Sequence, residues 1–240
     1  MTTDATVGPR PTRPQPVASS LHTLILVAIM ALLAAGGAYM QSRGGSGGTI
    51  TAKHSAVLPL YLSLMAGEWA LVLYVRAGIR RQGLGLRDLI GGSWSGPAPV
   101  LRDVVIAAAF WGVFKATTWA AAHLLDPGGA KSISTLLPRG GVESVVWVAL
   151  ALSAGFCEEL VFRGYLLRQA WAWSGSRVVA TLAQALVFGI AHGYQGLSAT
   201  VTIVVLGAQF AALARWRRSL RPGMIAHAWA DIFGGLIARG

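Results

Sequence analysis

Apolar residues in this chain come in long runs, not in the short alternations of a soluble domain. Leu21 to Met40, Ala56 to Val75, Asp103 to Leu125, Val142 to Ala172 and Leu197 to Leu213 each reach or approach the roughly 20 residues that a helix needs to cross a bilayer. Arg177 to His192 and Pro222 to Ile237 are shorter, and Pro222 sits where a first helical turn accepts proline. Polar punctuation separates the runs. Gly44-Gly45-Ser46-Gly47-Gly48 reads as a flexible loop, and Asp126-Pro127-Gly128-Gly129 as a turn. Arg76 to Arg102 is a basic connector whose Gly83 to Ile90 portion reads as a short interfacial helix. The pattern predicts an all-α, polytopic transmembrane helical bundle of about seven spans over residues 21–240, or eight if the connector adds a half-membrane segment. Residues 1–20, rich in Pro and Thr, lack the apolar content to fold and read as a disordered cytoplasmic tail. The first run is longer than the roughly 7–15 residues of a signal-peptide core, so it is read as a retained span.

Composition strengthens this reading. Only 12% of residues are charged, about half the share in a soluble domain. The net charge of +11 would suggest nucleic acid in a soluble protein. Here the arginines fall between apolar runs, where they act as topology signals and meet anionic headgroups, so no nucleic-acid partner is expected. With the N-terminus placed inside, one side of the membrane takes Arg10 and Arg13, then Arg76, Arg80, Arg81, Arg87 and Arg102, then Arg168 and Arg177, and finally Arg215, Arg217, Arg218 and Arg221. The other side takes only Arg43, Lys53, Lys131, Arg139 and Arg239. That bias predicts a multi-pass cell-membrane protein with its N-terminus in the cytoplasm and its C-terminus outside. A single cysteine, Cys157, allows no intrachain disulfide and no cysteine-rich metal site.

Against this apolar background a few ionisable residues stand out, because charge at membrane depth is costly and reads as functional by default. Glu158 and Glu159 are adjacent, and Arg163 follows Glu159 by four positions, on one helical face. Glu159 can therefore pair with the guanidinium, leaving Glu158 on the neighbouring face as the candidate general base. The next helix ends in Phe188-Gly189-Ile190-Ala191-His192-Gly193, where Gly189 and Gly193 make a small-residue face that admits a close neighbour. The last run carries His227 and Asp231, again four apart. Each group alone could simply glue helices together. Jointly, three helices turning Glu, His and His/Asp inward could activate a water for attack on a carbonyl, with donors or a cation for the developing oxyanion. Imidazole and carboxylate are also zinc ligands.

At these residues the chain resembles the CAAX protease and bacteriocin-processing (Abi) family of intramembrane metalloproteases. The family's Glu-Glu-x-x-x-Arg motif is matched by Glu158, Glu159 and Arg163, its Phe-x-x-x-His by Phe188 and His192, and its His-x-x-x-Asn/Asp by His227 and Asp231 after the Pro222-Gly223-Met224-Ile225 lead-in. The resemblance covers about residues 142–237. It implies a helical bundle of the Rce1 type whose site opens to the membrane and whose substrate is a peptide or membrane protein. Glu158 with His192 would activate the attacking water, and Glu159 with Arg163 would support them. His227 and Asp231 would stabilise the oxyanion or help hold a metal, the implied ligand set being Glu158, His192, His227 and Asp231 around zinc or another divalent ion. Relatives argued to work through glutamate without a catalytic metal leave both mechanisms open. Asp231 stands where many relatives carry Asn, and a carboxylate donates to an oxyanion only when protonated.

Other readings compete. A proton-coupled transporter would bury the same residue types, and a scaffold or immunity protein could keep them without turnover. A Gly-x-Ser-Gly match around Ser46 falls in a loop, and the absence of His-Glu-x-x-His argues against a site-2-type zinc protease. Glu68 and Lys115 lie inside spans, where they could pair with each other or line a cavity. Cys157, in apolar surroundings, reads as packing.

Overall fold

The computed structural model describes residues 14–43, 57–125 and 136–237. Among them every regular element is helical. Helix α1 covers Ser20–Arg43, α2 Val57–Arg80, α3 Leu86–Ile90, α4 Pro97–Leu125 and α5 Gly141–Glu158. The chain then winds as a π-helix through Glu159–Leu166 and returns to α-helix in α6, Leu167–Ser174. Helix α7 covers Arg177–Ala191, α8 Leu197–Arg217 and α9 Arg221–Ile237. The Gly44–Gly48 loop, with Ser46, and the Asp126–Gly129 turn lie outside the described residues.

Among the described residues five segments are long and apolar enough to cross a membrane: Ser20–Tyr39, Val57–Arg80, Pro97–Leu125, Gly141–Ser174 and Leu197–Arg217. Helix α7 is apolar but has only 15 residues, and α9 has 17. These two are the runs expected to be short, and both carry site histidines. A helix that turns polar groups toward its neighbours does not need a full lipid-facing length of its own.

The middle of the bundle is the Gly141–Ser174 rod. Helix α5 packs between α2 and α9, α7 lies against α6 and α8, and α4 covers α9 from outside. The main core gathers Leu160, Val161, Phe162 and Tyr165 of the π-segment, Leu26 and Met30 of α1, and Val72, Val75 and Ile79 of α2. Lipid-facing positions remain apolar, among them Leu32 and Leu33 of α1, Leu101 and Val105 of α4 and Val145 of α5. This is the inverse of a soluble protein, where such exposure would drive association.

The basic end of the bundle is tied together by backbone carbonyls. Arg168 donates to Asp88 O at 2.7 Å and Leu89 O at 2.9 Å, which pins the short helix α3. The Leu220 amide donates to Ile90 O at 2.8 Å and starts α9 against the same connector. One expectation is corrected here. Residues 17 and 18, expected to be part of an unfolded tail, are held in place: Gln169 Oε1 accepts from the amides of Val17 (2.9 Å) and Ala18 (3.2 Å), and Gln169 Nε2 donates to Ala18 O (3.0 Å). Val17 and Ala18 are buried. A buried amide side chain without partners would be costly, so Gln169 and this segment order each other.

Candidate active site

Gly155 lets the site form. A Cβ at this position would lie 2.8 Å from both Ala228 N and Met224 O, so only glycine lets α9 come this close to α5. The contact sits one turn before Glu158 and level with His227. At Glu159 the helix becomes π-wound, a local expansion that recurs at functional sites. Both carboxylates and Arg163 thereby enter the interior together.

Glu159 and Arg163 are completely enclosed. Arg163 Nη1 lies 3.0 Å from Glu159 Oε1. The approach is an ion-pair contact and not an aligned hydrogen bond, since Nη1 has no partner in hydrogen-bond geometry. The guanidinium is boxed by rings, with its carbon 4.2 Å from the Phe188 centroid and 5.1 Å from that of Phe210. Arg suits such a place because its planar, weakly hydrated cation stacks on aromatic faces. Glu159 Oε1 also accepts from His227 Nδ1 at 3.2 Å, which fixes the ring.

Glu158 takes the position between the two imidazoles. His227 Nε2 is 3.5 Å from Glu158 Oε2, and His192 Nε2 is 3.9 Å from Glu158 Oε1. His192 donates through Nδ1 to Phe188 O at 2.8 Å, so its Nε2 is left to face the carboxylate as an acceptor. Asp231 Oδ2 lies 3.6 Å from His227 Nε2. Trp147 Nε1 donates to Asp231 O at 2.9 Å and ties this turn of α9 to α5. The Glu159 side chain is 0% exposed, Glu158 19% and Asp231 38%, so a substrate would arrive from the Glu158–Asp231 side. The structure thus brings together Glu158, Glu159, Arg163, His192, His227 and Asp231 from α5, the π-segment, the end of α7 and α9.

Two further groups face this centre. Glu68 of α2 feels the charges of Glu158, Asp231 and His227, and it makes no ion pair with Lys115 among the described residues. Tyr194, in the turn Gly193–Gln195 after α7, feels the charges of Glu158, Asp231 and Glu68. Its ring stacks on His192 with centroids 6.4 Å apart, and Gln195 Nε2 donates to its hydroxyl at 3.1 Å. A lone Glu inside an apolar run was a visible signal for the first. Nothing marks Tyr194 except its place two residues after His192. The other polar candidates lie elsewhere. His123 bonds Trp119 O within α4, and Cys157 is buried in the core beside Ser153. Gly189 meets Val204 and Thr200 of α8, as the small-residue face predicts, but Gly193 has no atom within 4 Å and does not extend it.

The donor chemistry suits a divalent ion, although among the described residues no group of three or more His, Cys, Asp or Glu side chains is already closed around a metal-sized point. In the neutral ring, with Nδ1–H given to Glu159, the His227 Nε2 lone pair faces Glu158 and Asp231, so Glu158, His192, His227 and Asp231 are the residues that would hold such an ion.

Fold and site together define a helical membrane bundle with a secluded Glu/His centre at its middle. Residues 140–233 match the family model described as Type II CAAX prenyl endopeptidase Rce1-like. It is the family that the three motifs resemble, and the matched stretch contains all six motif residues. No curated protein and no solved structure matches the chain. The family implies an intramembrane endopeptidase acting on a peptide or protein substrate.

Proposed function

We propose that the protein is an intramembrane endopeptidase in which Glu158, flanked by His192 and His227, activates water. The observation that carries this is the convergence of both Nε2 atoms on one carboxylate, at 3.5 and 3.9 Å. These separations exceed a direct hydrogen bond, as they often do before substrate tightens a catalytic site. Glu158 ends the first half of the 34-residue Gly141–Ser174 rod, roughly 25 Å of helix from either end. The centre is therefore at membrane depth, where water is scarce and electrostatic interactions are strong.

In the proposed reaction, water held between Glu158 and His192 attacks the scissile carbonyl carbon and passes its proton to Glu158. The carbonyl oxygen takes up the electron pair and accepts a hydrogen bond from the Nε2–H of protonated His227, whose Nδ1–H is anchored on Glu159. Collapse of the tetrahedral centre breaks the C–N bond, and Glu158 returns the proton to the departing amine. A carboxylic acid and an amine result. Asp231 orients His227 from the open side, and the Arg163 cation holds Glu159 in place. Charged groups aimed in advance at the oxyanion are commonly the largest contribution to such catalysis.

The test is cleavage of a peptide library by the purified, lipid-reconstituted full chain. Glu158→Gln should lower turnover by about 10²–10⁴-fold, the usual range for a general base, while leaving thermal unfolding unchanged. A chelator arm asks separately whether activity needs a metal. Cleavage undiminished in Glu158→Gln would refute the assignment. Loss of proton-coupled uptake in place of cleavage would identify a transporter, and an intact partner phenotype without any cleavage a scaffold.

A further inference from the structure

Beside the Glu159–Arg163 pair the bundle has an open concavity of about 1220 Å³, whose other arginines the proteolytic reading does not use. Arginines line it: Arg168 of α6, Arg177 at the start of α7, Arg215 of α8 and Arg218 in the turn after α8, with Arg163 at its inner end. The ordered segment 14–20 closes one wall. Among the described residues Arg177, Arg215 and Arg218 form no ion pair with a carboxylate, and Arg168 feels only that of Asp88. Arg168 is occupied by backbone carbonyls. Arg177 lies over Trp171, 4.9 Å from the ring centroid, and Arg215 donates to Thr181 Oγ1 at 2.8 Å. A topology signal only needs basic residues in water near the membrane. Here they converge on one concavity, where a bound anion would offset their mutual repulsion.

A second feature says which anion. Trp216 lines this cavity and also an apolar groove of about 450 Å³ between α4 and α8, walled by Ile106, Ala109, Phe110, Val113, Ala212 and Leu213. Trp216 is itself 68% exposed, as a tryptophan at the headgroup level should be. A basic chamber joined through an interfacial tryptophan to a lipid-facing apolar groove matches one molecule: a phosphate between arginines and an acyl chain along α4 and α8. Guanidinium forks recognise phosphate oxygens two at a time, and basic pockets between transmembrane helices hold anionic headgroups. Arg177 and His192 lie at opposite ends of α7, about 22 Å apart along its axis, so the outer arginines of the chamber are remote from the Glu158 centre and meet it only through Arg163.

We infer that this chamber and groove form a binding site for one anionic phospholipid. The experiment is native mass spectrometry of the full chain in neutral detergent, titrated with phosphatidylglycerol, phosphatidylcholine or inorganic phosphate at constant ionic strength. Phosphatidylglycerol should be retained as a single adduct, about tenfold tighter than phosphatidylcholine, and the joint change Arg177→Gln with Arg215→Gln should remove that preference. The paired Arg177→Lys and Arg215→Lys change keeps the charge and should keep the preference, which separates lost binding from lost folding. Ala109→Trp, filling the exposed groove, should weaken the lipid but not its water-soluble headgroup, glycerophosphoglycerol. Equal retention of the two lipids, or full retention in the Gln variant, would overturn the site. Displacement by phosphate as effective as by lipid, with no effect of Ala109→Trp, would overturn the phospholipid and leave a free-phosphate site. Neither readout uses proteolysis, so either proposal can fail without the other.

Discussion

Tyr194 shows how a single residue could matter to this site beyond its motifs. It lies in the turn after α7, and burial is the first cause that raises its phenol above the ordinary value, with Glu158, Asp231 and Glu68 adding to it. The phenol therefore stays protonated at working pH, and with Gln195 already donating to its oxygen it can serve only as a donor toward the carboxylates or the substrate. Tyr194→Phe removes that donor and keeps the ring on His192. It should lower kcat/KM by about tenfold, the worth of one hydrogen bond, without altering the pH profile below that of the phenol. Unchanged kinetics would make Tyr194 mere packing. The six motif residues were legible because Glu159/Arg163 and His227/Asp231 follow helical spacing inside apolar runs, where any charge is conspicuous. Glu68 was conspicuous as a charge in an apolar run but its neighbours were not, and Tyr194 was not legible at all, because what turns both toward the centre is the packing of α2 and of the α7–α8 turn, which no local spacing encodes.

At the scale of elements, the close approach of α5 and α9 decides whether Glu158 meets His227. Gly155→Ala places a methyl group 2.8 Å from Ala228 N and Met224 O, atoms of backbone that cannot swing away. The helices must separate, at a cost of about 1–3 kcal/mol for overpacking. The measured result should be a lower unfolding temperature together with a large loss of cleavage. Gly67→Ala on α2 is the comparison, since nothing lies within 4 Å of its added carbon; both properties should stay near wild type. Equal behaviour of the two variants would refute the role of Gly155. Helix positions along the chain were readable from hydrophobic runs, including α3 inside the basic connector. The π-winding of Glu159–Leu166 was not, because it answers to the packing of Arg163 among Phe162, Phe188 and Phe210 and leaves the hydrophobic pattern unchanged. The anchoring of residues 14–19 was likewise invisible, since it depends on Gln169, some 150 positions away.

For the molecule as a whole, charge asymmetry and fold lead to one orientation. Arg80, Arg81, Arg168, Arg177, Arg215 and Arg218 come from three separate stretches of the chain, yet the bundle collects them at the end where α2, α6 and α8 finish and α7 begins. Helix packing alone would tolerate basic residues at either end. Insertion does not, because cytoplasmic loops retain Lys and Arg. The prediction is that this end faces the cytoplasm. It can be checked in a Cys157→Ser background with single cysteines at Gln82, beside the arginines, and at Leu197, which begins α8 at the opposite end and is 80% exposed. A membrane-impermeant maleimide applied to intact cells should label Leu197→Cys and spare Gln82→Cys, and both should react after permeabilisation. The reverse pattern would put the arginine chamber outside. The phospholipid would then have to come from the outer leaflet, and the substrate would have to reach Glu158 from the cytoplasmic side past the turn that carries Tyr194.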